Sequence, residues 1–184
     1  MSTVKIENAR LSFPSLFTPT AFEGSDNLKY SGTFILDKDA DADQIKNLRK
    51  IVSELAKEKW GEKQPKKLFL SLQDGDETER AEYENKYIVK ANNRKRVPII
   101  DKDLSALVEE DGRPQGGDYV NAKVRFYAWS SGAAFSGVLC SLEAVQFARE
   151  GERFGGGGNA LEGFNDISNE TAADVVEEAE EFLA

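Results

Sequence analysis

Apolar residues alternate along Val4–Phe13, but the phase slips: Ile6 falls on one parity, Ala9, Leu11 and Phe13 on the other. A strand with a β-bulge near Asn8 explains the slip, because one extra residue returns the apolar set to its original face. The following stretch, with Pro14, Phe17, Pro19 and Phe22, reads as a loop. Tyr30, Gly32, Phe34 and Leu36 then alternate with Lys29, Ser31, Thr33 and Ile35, the pattern of a half-buried strand.

The period next becomes helical. Ile45, Leu48, Val52 and Leu55 recur three and four residues apart, Asp41 with Gln44 predicts a capping box, and Gly61 a stop. Leu68–Leu72 reads as a short apolar strand leading into the acidic loop Asp74–Glu79. Strands are expected around Lys86–Ala91 and Val97–Ile100. Two longer ones, Tyr119–Trp129 and Ala134 to about Phe147, are joined by the turn Ser130-Ser131-Gly132. Short strands, frequent turns and one main helix predict a mainly β fold, a small Greek-key barrel or sandwich.

Beyond Arg149 the pattern breaks. Gly155-Gly156-Gly157-Gly158-Asn159 cannot pack a core and reads as flexible linker. The expected organisation is a body over 1–150, a linker over 151–168 and a disordered acidic tail over 169–184, whose Val175, Val176, Ala179, Phe182 and Leu183 keep helix-like spacing.

Charge sharpens this division. The net charge of −9 argues at first against an anionic partner, yet −8 of it lies in residues 151–184 and only −1 in residues 1–150. With no histidine and a single cysteine, Cys140, the chain cannot build a His/Cys zinc site, a Ser-His-Asp triad or a Cys-His pair. No cofactor or metal is expected. Gly155–Gly158 lacks the Lys-Ser/Thr of a phosphate loop, and Asp74-Gly75-Asp76-Glu77 lacks the ligand order of an EF-hand. No apolar run is long enough to span a membrane, and Met1–Lys5 carries no secretory segment, so a cytoplasmic protein is expected.

The most informative stretch is Tyr119–Trp129. With period two, Val120, Ala122, Val124, Phe126 and Ala128 form a core face, leaving Tyr119, Asn121, Lys123, Arg125, Tyr127 and Trp129 on the other. Cations interleaved with flat rings match a single nucleic-acid strand, which offers phosphates and unstacked bases. The plainer alternative is a solvent-facing strand whose aromatics cover the barrel mouth or meet the helix. Lys86, Lys90, Arg94, Lys95, Arg96 and Lys102 form a second basic element, opposed within 86–102 only by Asp101. Asn92-Asn93 is turn chemistry, so Arg94-Lys95-Arg96 is expected to project from a hairpin loop and extend a phosphate track.

The strand Gly116-Gly117-Asp118-Tyr119-Val120-Asn121-Ala122-Lys123-Val124-Arg125-Phe126-Tyr127-Ala128-Trp129, followed by Ser136–Gln146, resembles phage-encoded OB-fold single-stranded DNA-binding proteins. The Gly-rich linker and the acidic tail bearing Phe182 are similar to theirs. The resemblance implies a non-catalytic protein of phage replication and recombination in the bacterial cytoplasm. It implies a tail (Glu177, Glu178, Glu180, Glu181, Phe182, Leu183) that contacts replication proteins or occupies the DNA groove, and it is compatible with a homo-oligomer. Two other classes stay open: an interaction module of a replisome or virion, and a carboxylate-dependent nuclease using Asp74, Asp76 and Glu77.

Overall fold

The computed structural model of the protein describes residues 2–21 and 23–154. The linker glycines Gly155–Gly158, the acidic tail and its Glu177, Glu178, Glu180, Glu181, Phe182 and Leu183 lie outside the described residues.

Strand β1 (Ser2–Ala21) is long enough to serve two neighbours because it bends. Its register slips between Ile6 and Ala9, where Asn8 adopts a left-handed φ of 52° and donates its N–H to Asn121 Oδ1 at 2.9 Å. The bulge keeps Ile6, Ala9 and Leu11 all buried, as the phase slip in the sequence requires. The proline-bearing stretch after Phe13 is not a loop: β1 continues to Ala21, paired irregularly with β2 (Leu28–Asp37). Nor is β2 half-buried throughout. Its inner face fills the barrel, and on its outer face Ile35 packs with Ile88 under Tyr83 and Phe154.

Helix α1 (Ala42–Trp60) follows, burying Ile45, Leu48, Val52, Leu55 and Ala56, and it ends at Gly61 with φ 56°. The expected capping box does not form. Asp41 accepts instead from the Asp37 N–H at 2.9 Å. Gln44 bonds both backbone groups of Glu7 at 2.9 Å, pinning the helix start to β1 beside its bulge. The predicted apolar strand splits at Ser71 into β3 (Phe69–Leu70) and β4 (Leu72–Asp74), each paired to a different neighbour.

Strands β5 (Lys86–Asn93), β6 (Ile99–Ile100), β7 (Tyr119–Ser131) and β8 (Phe135–Arg149) complete the fold. The neighbours run β8-β7-β1-β2-β5, and a parallel bridge from Asn92 to Ser141 returns β5 to β8. Five strands therefore close into a barrel with the Greek-key connectivity of an OB-like fold. Phe34, Phe126, Leu11, Leu36 and Leu142 fill it. Cys140 is buried there too, and desolvation pushes its thiol pKa up, away from reactivity.

Two further features position the surface. β5 and β6 form no hairpin: both run parallel to β8, so Arg94-Lys95-Arg96 lies on an exposed link between two segments docked on one strand. At the other edge Gly151–Phe154 returns across the body. Arg153 reaches buried Asp118 at 2.6 Å, Arg10 lies over the Phe154 ring at 4.0 Å, and a Cβ on Gly117 (φ 100°) would strike Glu152 O at 2.2 Å. No helix among the described residues is long and apolar enough to cross a membrane.

Candidate nucleic-acid interface

Strand β7 carries the alternation read from its sequence. Val120, Ala122, Val124 and Phe126 are fully buried, while Lys123 and Trp129 are exposed and Tyr119, Asn121, Arg125 and Tyr127 are half-buried on the outer face. Their surroundings differ. The Tyr119 ring is covered by Arg149 at 3.6 Å, so that face is not free to stack. Asn121 is held by Gln146 at 3.0 Å. Arg125 sits opposite Ser141, and Tyr127 and Trp129 lie towards the end of the strand nearest the turn into β8.

Trp129 is not alone. Its ring lies 5.7 Å from Phe135 on β8, which lies 5.9 Å from Phe69 on β3, with interplanar angles of 44° and 42°. The three form a ladder across three adjacent strands, and Trp129 (47% exposed) and Phe69 (41%) face solvent. Exposed Lys66 and Lys67 stand three and two residues before Phe69. Sequence reasoning found Trp129 and missed Phe69 and Phe135. Phe135 had a readable signal, an aromatic just past the turn, whereas Phe69 joins only through the parallel pairing of β3 with Gly137 and Val138.

The ion pairs sort the predicted cations. Lys86 is engaged by Asp37 at 2.5 Å, which holds that carboxyl at a pKa of about 2, so Lys86 is the least available of the set. Arg125 Nη2 lies 3.2 Å from Glu143 Oε1. Among the described residues Lys90, Arg94, Lys95, Arg96 and Lys123 form no ion pair, and all five are exposed. The register brings most of them to one surface. Asn92, Ser141, Arg125 and Thr3 occupy one row across β5, β8, β7 and β1, with Lys123 opposite Lys5 in the next row of β7 and β1. Arg94 lies two residues beyond Asn92 along the chain, just past the end of β5. Trp129 is four residues from Arg125 along β7, about 13 Å. A basic track running into an aromatic ladder matches the repeat of phosphate and base along a single strand.

The acidic loop is built for another purpose. Lys38 Nζ lies 2.6 Å from Asp74 and 2.5 Å from Asp76, and its hydrogen bonds hold both carboxyls below the usual range. Asp76 also accepts from the Asn85 N–H at 2.8 Å. These carboxylates fasten the loop to β2 and β5, and no cluster fit to hold a metal occurs among the described residues.

The fold is that of solved phage proteins. It superposes on the single-stranded DNA-binding protein from bacteriophage Enc34 in complex with ssDNA with a TM-score of 0.74, at 23% identity over 83% of this chain and 89% of that one. It matches gp2.5, a single-stranded DNA-binding protein encoded by bacteriophage T7, at 0.62 and 12% identity, over 93% and 98%. In sequence the chain is 38% identical to protein p50 of Acyrthosiphon pisum secondary endosymbiont phage 1 over 191 residues, 98% of each. The family model described as the ssDNA-binding protein of Enterobacter phage Enc34 matches residues 2–176, and the chain belongs to that family.

Proposed function

We propose that the protein binds single-stranded DNA without catalysing a reaction. Bases stack on Trp129, Phe135 and Phe69, and the backbone is followed by Lys123, Arg125, Lys90 and the Arg94-Lys95-Arg96 link. The observation that carries this reading is the three-ring ladder, exposed on the outer face of the barrel and four residues along β7 from Arg125, with Lys90, Arg94, Lys95, Arg96 and Lys123, unpaired among the described residues, on the strands and link around it. Family membership supports it, since the family's namesake is an ssDNA-binding protein. Stacking and phosphate pairing do not read base edges, so binding is sequence-tolerant. The loop carboxylates Asp74 and Asp76 serve Lys38, which supports a non-catalytic role over a nuclease.

The test is a titration with oligo-dT followed by Trp fluorescence, with Trp60→Phe leaving Trp129 as the reporter. Quenching that saturates and reverses with salt is expected. No quenching by any single strand, with the fold intact, would leave the aromatic ladder as a protein-docking surface. Replacing any one of Arg94, Lys95 or Arg96 by Ala lowers affinity for all sequences alike and reduces the salt slope by roughly 0.7 per lost phosphate contact. A sequence-selective loss with unchanged slope would mean base readout at that position.

The place of such a protein is phage DNA replication and recombination in the host cytoplasm. Its acidic tail competes with phosphates for the same cations, and Phe182 and Leu183 recruit replication proteins. A tail held by a short Gly-rich tether acts at high effective concentration, and its charges are screened beyond about 10 Å at 0.1 M salt. Truncation after Gly158 therefore tightens binding most at low salt. Equal affinities of full-length and truncated protein at low salt would reduce the tail to a partner peptide.

A further inference from the structure

Between the C-terminal half of α1 and the Arg125–Trp129 segment of β7, with residues from both faces of the strand, runs a groove of about 560 Å³, within the range of small-molecule sites, roughly 300–1,000 Å³. Its floor is apolar, from Leu55 and Ala128, and Tyr127 and Trp129 supply the aromatic wall. Three charged side chains complete the lining: Lys59 and Arg125, cationic, and Glu58 as the only carboxylate. Glu58 and Lys59 are exposed on the helix and, among the described residues, neither takes part in an ion pair.

Arg125 is poorly satisfied where it stands. Its Nη2 is near Glu143, but its buried Nε has no acceptor, and the facing Glu143 Oε1 makes no well-aligned hydrogen bond. The guanidinium is partly exposed, so an anion can reach it, and its buried Nε is a donor that no group of the protein matches. The groove thus offers an apolar slot, a flat aromatic wall, two cations and a single acceptor carboxylate.

We propose that this groove is a one-nucleotide subsite, deepening the single-strand reading on which it rests. One base leaves the stack on the ladder and enters the slot against Tyr127. Its phosphate is met by Lys59 and by Arg125 as that side chain turns from Glu143. Glu58 accepts a hydrogen bond from the exocyclic amino group of the inserted base. A carboxylate accepts from the N4 amino group of cytosine, and thymine has no exocyclic amine to give. The subsite therefore adds a preference for amino-bearing bases, cytosine above thymine among pyrimidines, to an otherwise sequence-tolerant surface. Trp129 belongs to both sites, as the last ring of the ladder and the first wall of the slot.

The experiment compares full-length protein binding to labelled dC12 and dT12 at one salt concentration, for the wild type and for Glu58→Ala. Glu58 is exposed and alanine is a good helix former, so the variant keeps the fold. Wild type is expected to favour dC12 by about fivefold, the lower end of what one base-edge contact supplies. In Glu58→Ala the ratio falls to about one, while dT12 affinity holds or rises as a negative charge leaves the phosphate path. Ala128→Leu, which fills the floor, also abolishes the preference, with its fold checked by thermal melting. A wild-type ratio of one, or a preference that survives Glu58→Ala, overturns the subsite and leaves single-strand binding standing. Failure of wild type to bind either oligomer overturns the underlying reading instead.

Discussion

Replacing Trp129 and Phe69 together by alanine is expected to weaken oligo-dT binding by about 30-fold or more, with the fold retained. The figure follows from base–aromatic stacking, worth about 1–3 kcal/mol per base by alanine substitution, so two lost platforms remove roughly 2–6 kcal/mol. Both rings are exposed and neither fills the barrel, so the cost falls on binding rather than on folding. Phe135 stands between them in contact with each. Its own replacement should therefore cost more than one ring's share, because it frees both neighbours, and coupled side chains deviate from additivity. Fluorescence anisotropy of a labelled oligomer measures this without relying on the tryptophan that has been removed. Unchanged affinity in the folded double variant would remove the ladder from the binding surface and leave the basic track alone to explain affinity.

The second large effect lies one layer inward. Phe126 is completely buried in β7, opposite Ser2 on β1 and Cys140 on β8. Phe126→Ala is expected to destabilise the protein by about 3–5 kcal/mol, the range for removing a core phenylalanine. That is a large part of the roughly 5–15 kcal/mol that holds a typical domain together. Tyr127→Ala, one residue on but facing outwards, should cost far less stability and act on DNA affinity instead. Urea denaturation of the two variants separates the faces of a single strand. A loss below about 1 kcal/mol for Phe126→Ala would mean that the barrel interior collapses to fill the vacancy, and the packing described above would be wrong.

That division of β7 was legible in the sequence because a strand's period is local and any two neighbours report it. The bulge at Asn8 was legible for the same reason, as a slip of parity between Ile6 and Ala9. What escaped the sequence depends on pairings between distant segments. Phe69 reaches Phe135 only because β3 lies parallel to β8, and no residue near Phe69 announces that alignment. Lys86 looks as free as Lys90 until β2 brings Asp37 opposite it. Gln44 had the spacing of a capping box, yet the backbone of Glu7, 37 positions earlier, competes for its amide and wins both hydrogen bonds. Asn92-Asn93 has turn chemistry, but the parallel docking of β5 and β6 on β8 keeps both residues in strand.

The pairing of β1 with β7 has a consequence for how the chain is made. Ser2–Ile6 has its partner in Ala122–Phe126, more than a hundred residues later. On a ribosome adding about 5–20 residues per second, the first strand waits roughly 6–25 s for that partner to emerge. Through that interval Val4 and Ile6 extend unpaired beyond the nascent hairpin of β1 and β2, whose pairing begins at Arg10, and an unpaired strand of this kind invites pairing with another chain. Barrel closure is a late event of synthesis, and contacts this distant in sequence place folding in the slow, millisecond-to-second class. During rapid expression many half-made copies share a cell at once. The yield of folded protein then depends on how long the first ten residues are kept apart from those of neighbouring chains, as well as on the stability of the finished barrel.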